Sequence, residues 1–163
     1  MKDTGALKIT TPTDREIVIT RGFDAPRRLV FDALTKPELL RRWFSGPPGW
    51  SLVICEIDLK VGGALRFVFR GPDGTDMGMS GVYREIVPNE RIVNTDTKDG
   101  CDTQAAGEAL VTTVLVEHAG KTRLTSTLLF PSRELRDAVI NSGMERGVTA
   151  NYDRLDEYLA SIA

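Results

Sequence analysis

Apolar and polar positions alternate along this chain with a period that changes as the chain proceeds, and the changes divide it into elements. Residues 16–23, Glu-Ile-Val-Ile-Thr-Arg-Gly-Phe, form a short β-branched run that predicts a first strand. Asp24 then precedes Pro26, and Leu29, Val30, Ala33 and Leu34 recur at helical spacing, the pattern of a capped amphipathic helix. Pro37 opens a second helix, on which Leu39, Leu40, Trp43 and Phe44 share one side and which Gly46-Pro47-Pro48-Gly49 must end. From Trp50 to Phe130 the texture is β, with strands expected near 51–58, 64–70, 76–87, 91–97, 107–118 and 121–130. Gly62-Gly63, Gly71-Pro72-Asp73-Gly74, Pro88-Asn89-Glu90 and Ala119-Gly120 supply the turns, the last a two-residue hairpin. Residues 98–106, KDGCDTQAA, read as a longer, mobile connection.

After Pro131 the helical period returns over 132–142, and again beyond Gly143 as far as Ile162; two helices or one kinked helix fit equally. In the longer run Met144, Val148, Asn151, Tyr152, Leu155, Leu159 and Ile162 form a stripe. A meander of antiparallel strands has one face to hide, and this last helix supplies an apolar stripe of matching length. The expected fold is therefore α+β: a curved antiparallel sheet of about six to seven strands wrapped around a long C-terminal helix, with two short helices after the first strand. Residues 1–14 read as a flexible polar leader and 15–163 as one domain. Where such a sheet bends away from its helix a gap remains, the natural place for a ligand.

Composition narrows the partners. Twenty-one Lys and Arg against 23 Asp and Glu give a formal net charge of -2, with the signs interspersed, so no basic stripe invites a nucleic-acid backbone. No apolar run is long enough to span a bilayer, and the N-terminus lacks the pattern of a cleaved signal. The expectation is a cytoplasmic protein with neither nucleic-acid nor membrane partners. Cys55 and Cys101 lie far apart in sequence, and Cys55, in an apolar strand, reads as a small buried hydrophobe.

Catalytic patterns are sparse. His118 is the chain's one histidine and falls just before a hairpin turn, beside Glu117, with no second metal-ligating residue at suitable spacing. There is no G-x-S-x-G, glycine-rich phosphate loop or H-E-x-x-H, and Glu56 and Asp58 on one strand face read as a wet surface. No catalytic residue, cofactor or metal is assigned. Strand alternation points instead to an apolar lining. Leu65, Phe67 and Phe69 share one face, as do Met77, Met79, Gly81 and Tyr83, and likewise Leu124, Ser126 and Leu128. Core packing accounts for most of these residues singly; together, adaptable methionines and a tyrosine hydroxyl suit a binding cavity. Val148, Asn151 and Tyr152 would face it from the helix. Arg21 and Asn151 interrupt apolar faces and need partners, either within the protein or as polar anchors for a ligand. Trp43, Phe44 and Trp50 gather at one rim, Trp43 as a pin between helix and sheet and Trp50 as a lip.

Several motifs recur together here: Arg21-Gly-Phe-Asp-Ala-Pro26, Pro37-Glu38-Leu39 leading to Arg42-Trp43, Gly46-Pro47-Pro48-Gly49 and Cys55-Glu56-Ile57-Asp58. They continue with Val61-Gly62-Gly63, Phe67 to Gly74, Gly81-Val82-Tyr83, Pro88 to Arg91, Lys121 to Thr125 and Asp153-Arg154-Leu155. In this order they resemble the START-like (SRPBCC) superfamily and, within it, the homologues of the activator of the ninety-kilodalton heat-shock ATPase. The resemblance implies the helix-grip fold and relatives that bind diverse apolar ligands. It implies non-catalytic binding of a small hydrophobic or aromatic molecule between sheet and C-terminal helix. The alternatives it carries are a co-chaperone-like interaction module and a cyclase- or hydrolase-like enzyme. Members that activate the ATPase have a further N-terminal domain, for which the leader has no room, so a chaperone partner is the weaker expectation. The family often shows tryptophan where this chain has Val148, which implies a wider cavity. A homodimer is left open.

Overall fold

The run at 16–23 does become a strand, and its position in the sheet decides the architecture. The computed structural model describes residues 7–98 and 108–162. Strands β1 (Lys8–Thr10) and β2 (Glu16–Phe23) are followed by helices α1 (Arg27–Thr35) and α2 (Pro37–Trp43). Next come β3 (Ser51–Ile57), β4 (Ala64–Arg70), β5 (Asp76–Val87), β6 (Arg91–Lys98), β7 (Ala109–His118) and β8 (Lys121–Leu129). Helices α3 (Arg133–Asn141) and α4 (Met144–Ile162) complete the chain. The strands form one antiparallel, unclosed sheet in the order β1-β2-β8-β7-β6-β5-β4-β3. Strands β3 to β8 are the expected meander, and β2 pairs with its last strand from Glu16↔Leu129 to Phe23↔Thr122. The chain is thus helix-grip in architecture, with α4 packed chiefly on α2 and more lightly on α1, α3 and β2.

Two local expectations are corrected. Within the polar leader, Lys8–Thr10 form an edge strand on β2, with Ile9 opposite Ile19. Three residues are too few to show an alternating pattern, so this eighth strand escaped the reading of the sequence. At α1 the helix begins at Arg27, and Asp24 does not cap it. The Glu117 carboxylate, from the β7–β8 hairpin, accepts from the Arg27 N–H at 2.8 Å, satisfying one orphan donor from across the fold. The connection at 98–106 lies outside the described residues apart from Lys98.

Curvature originates in β5. Gly81 approaches β6 so closely that a Cβ would lie 1.8 Å from the Thr95 carbonyl oxygen, and the Val82 N–H turns to the Thr95 hydroxyl at 2.9 Å. Register then shifts between Tyr83 and Glu85, a bulge that bends the strand and adds twist. The bend is held from the β3–β4 turn, since Gly62 N–H donates to the Tyr83 carbonyl and Tyr83 N–H to the Gly63 carbonyl. The β7–β8 turn is the predicted two-residue hairpin, with positive φ at both Ala119 (54°) and Gly120 (78°).

Two apolar clusters occupy the concave side. The larger gathers Phe23, Val30, Trp43, Leu65, Phe67, Phe69, Tyr83 and Leu155, among others, and the smaller Ile17, Ile19, Ala109 and Phe130 with Leu128, Met144 and Val148 packed against them. Tyr152 packs against both. Replacement Gly81→Ala must separate β5 from β6 to relieve a backbone overlap, so we expect a loss of about 3 kcal/mol or more in urea unfolding. Gly74→Ala, whose Cβ meets nothing within 4 Å but whose φ is +86°, should cost only about 1 kcal/mol.

Candidate functional site

The loop leaving α2 has no regular structure of its own, and α4 supplies partners for several of its backbone groups. Asn151 Oδ1 accepts from the N–H groups of Ser45 (3.1 Å) and Gly46 (2.8 Å) and from Arg154 (2.8 Å). Arg154 in turn donates from Nε to the Trp43 carbonyl at 3.1 Å and from its terminal nitrogen to the Gly46 carbonyl. Asn151 and Arg154 are three residues apart and therefore on one helix face. Burial under the loop lowers the Arg154 pKa from its ordinary value, against the opposing pull of Asp153 and Glu157.

This clamp positions the aromatics. Trp43 is 2% exposed, donates Nε1–H to the Ala33 carbonyl at 2.9 Å and stacks on Tyr152 with ring centroids 5.9 Å apart. These contacts pin α2 to α1 and α4, where a pin between helix and sheet was expected. Phe44, half-buried, presents its ring edge-on to Phe67 and Phe69 at 5.1 and 5.2 Å. Trp50 lies across Gly71, where any Cβ would come within 3.0 Å of its indole. A side chain there would require the indole to give way by a few tenths of an ångström.

Leu65, Phe67, Phe69 and Tyr83 are buried on the concave side, with Met79 half-buried beside them. Met77 shares their face but sits at the end of β5 with 40% exposure, outside that cluster. Leu128 and Val148 pack in the smaller cluster. Arg21 is 5% exposed and pairs with Asp153 (2.9 Å) and Asp156 (3.7 Å) on α4, its guanidinium 5.5 Å from the Phe23 ring. Its Nε is buried without a hydrogen-bond partner. The two polar interruptions thus both tie sheet or loop to α4.

Strand register extends the inner face from Ser126, Leu128 and Tyr83 to Thr113, Val111 and Asn94, which reading the sequence did not single out. Ile19, Ser126, Thr113 and Ile92 lie in one row across β2, β8, β7 and β6, and Ile17, Leu128, Val111, Asn94 and Tyr83 in the next. Residues directly paired in this way share a face. Val111, Thr113 and Asn94, in mid-sheet, are nevertheless only half-buried. Desolvation pushes the Tyr83 hydroxyl up to about 12, and that of Tyr152 likewise to about 12 despite the pull of Arg21. Both stay protonated across the physiological range. Neither hydroxyl hydrogen-bonds to the described residues.

The remaining candidates for chemistry stand apart. His118 is exposed beside its turn, Asp58 pairs with Lys60 at 3.7 Å, and burial raises the Cys55 thiol pKa against the opposing pull of Arg41. Among the described residues no three of His, Cys, Asp and Glu gather as metal ligands, and no helix is long and apolar enough to cross a membrane.

Residues 24–160 match the model of the family described as activator of Hsp90 ATPase homolog 1-like proteins. No curated protein matches the chain. Among solved structures, a protein from Rhodobacter sphaeroides is similar with a TM-score of 0.88 and 30% identity over 96% of this chain and 99% of that one. A Staphylococcus epidermidis protein reaches 0.79 at 27% identity, covering 96% and 95% of the two chains. DynU16, from the dynemicin biosynthetic locus, shares the fold at 0.68 and 22% identity over 92% of this chain, which spans 48% of that protein.

Asn151→Ala removes the acceptor for two loop amides and should cost about 2 kcal/mol in chemical unfolding, whereas Asn151→Asp, which keeps the acceptor beside Arg154, should retain most of that stability. An unchanged midpoint in Asn151→Ala would show the clamp to be idle. Unfolded tyrosines titrate near 10, so raised folded values add stability that is complete below pH 10 and lost as pH rises toward 12. Absorbance titration near 295 nm should show a late-ionising fraction, absent from Tyr83→Phe/Tyr152→Phe.

Proposed function

This chain belongs to the family of activator of Hsp90 ATPase homolog 1-like proteins, and from that premise we propose that it binds a small hydrophobic or aromatic molecule between its sheet and α4, without chemistry of its own. One observation carries the reading: inner-face residues in mid-sheet, which a closed core would bury, are only half-buried beneath an aromatic rim. Val111, Thr113 and Asn94 form that floor, while Phe44 and Met79 stand at its aromatic side. An apolar guest covering them removes that surface from water, at about 25 cal/mol for each Å² of apolar area. Met79 supplies adaptability, and the clamp of Asn151 and Arg154 holds the rim in place so that binding need not order it.

Val148 supports the same location from the helix side. It is half-buried among the smaller cluster, and an isopropyl group there fills much less volume than an indole. Titration with N-phenyl-1-naphthylamine, a neutral probe that brightens in apolar surroundings, should give saturable one-to-one binding. Val148→Trp should weaken it roughly tenfold by filling the space. Absence of saturable binding, or equal affinity in a folded Val148→Trp protein, would contradict the proposal.

A further inference from the structure

We infer that the floor of this site is a hydrogen-bonding subsite, built from the Thr113–Ser126 hydroxyl pair and Asn94, that recognises a neutral carbonyl or hydroxyl group on an otherwise apolar ligand. The inference rests on the binding function proposed above and adds what kind of molecule is bound.

The inner face is apolar almost everywhere else along these rows. Ser126 and Thr113 face each other across β8 and β7 between Ile19 and Ile92, where alanine and valine would serve packing equally well. Their hydroxyls lie 2.9 Å apart, so one donates to the other. Each hydroxyl carries one hydrogen and two lone pairs, and this single bond therefore leaves one hydrogen and several acceptor positions unused. Ser126 is 7% exposed, whereas Thr113 is half-buried and forms the accessible side of the pair. Asn94 is a diagonal neighbour of Thr113, about 7 Å away in such a sheet, because its direct partner is Val111. Its Nδ2 donates to the Thr95 carbonyl at 2.9 Å, and its Oδ1 makes no hydrogen bond with the described residues. Across β5 the register places Tyr83 directly beside Asn94. Among the described residues the floor thus offers unspent donors and acceptors within the reach of one ligand.

Charge selects among polar ligands. Arg21 is the cation nearest these rows on β2, and Asp153 and Asp156 already balance it. Asp96, on the same face two residues beyond Asn94 and with interactions of its own, brings negative charge. The tyrosine hydroxyls remain neutral. Among the described side chains a carboxylate would lose its hydration here without gaining an unbalanced cation, while a ketone or alcohol loses little and regains a hydrogen bond.

The test is competition against N-phenyl-1-naphthylamine by 2-acetonaphthone and by 2-naphthoate, which share one ring system. On the unaltered protein 2-acetonaphthone should compete at least tenfold better than the carboxylate. On Thr113→Val/Ser126→Ala, with its fold checked by circular dichroism and the probe's own affinity measured again, the affinity of 2-acetonaphthone relative to that of the probe should fall about tenfold. Equal competition by the ketone on both proteins would overturn the subsite and leave the binding function standing. A carboxylate that competes as well as the ketone on the unaltered protein would overturn it too, whatever the fate of the double variant. Failure of the probe to bind at all would remove the binding function and the subsite together.

Discussion

One side-chain oxygen, Asn151 Oδ1, holds three donors, and the geometry of the concave side depends on it. Two of the donors are backbone amides of the loop after α2, of which that of Ser45 also reaches the Trp43 carbonyl at 3.2 Å, and the third is Arg154, which reaches past it to the Trp43 and Gly46 carbonyls. Without those bonds the loop would have to satisfy its polar groups in water and lift from α4. Trp43 would lose its place between Ala33 and Tyr152, and Phe44 its edge-on packing against β4. A polar residue on an apolar stripe is here the means by which an apolar rim is fixed.

The sheet makes the complementary demand. A long helix can be gripped only by a sheet that bends, and the bend at Gly81 and the following bulge supply it at a point where any side chain would strike Thr95. The apolar residues divide into two clusters that meet at Tyr152, while Thr113, Ser126 and Asn94 occupy mid-sheet positions. Polar groups in such a position are retained only when they find partners or serve a guest.

Much of this was legible beforehand, for identifiable reasons. The meander from β3 to β8 could be read because each strand is long enough to alternate and each turn carries its own chemistry; Trp43 could be read as a pin because Leu39 and Leu40 share its helix face, but its partners on α1 and α4, rather than the sheet, could not. The sequence also marked Arg21 and Asn151 as residues in need of partners, and left ligand and protein groups as alternatives. What decides between them is separation in sequence: Asp153 and Asp156 lie more than a hundred residues from Arg21, and the amides that Asn151 receives belong to the loop of Ser45 and Gly46. The Glu117 cap on α1 was hidden for the same reason. Arg154 gave a local signal, its i+3 spacing from Asn151, that only the loop geometry makes meaningful. The polar floor was hidden differently, since Thr113 and Asn94 look ordinary within their strands and become neighbours only through β6–β7 register.

The central claim is that a guest lies on the concave side between sheet and helix. It is tested most directly by intermolecular nuclear Overhauser contacts from N-phenyl-1-naphthylamine to methyl-labelled protein. The account predicts contacts to the methyl groups of Met79, Val111 and Val148. Contacts confined to Val82, Val116 and Leu129, which are exposed on the opposite face of the sheet, would contradict it.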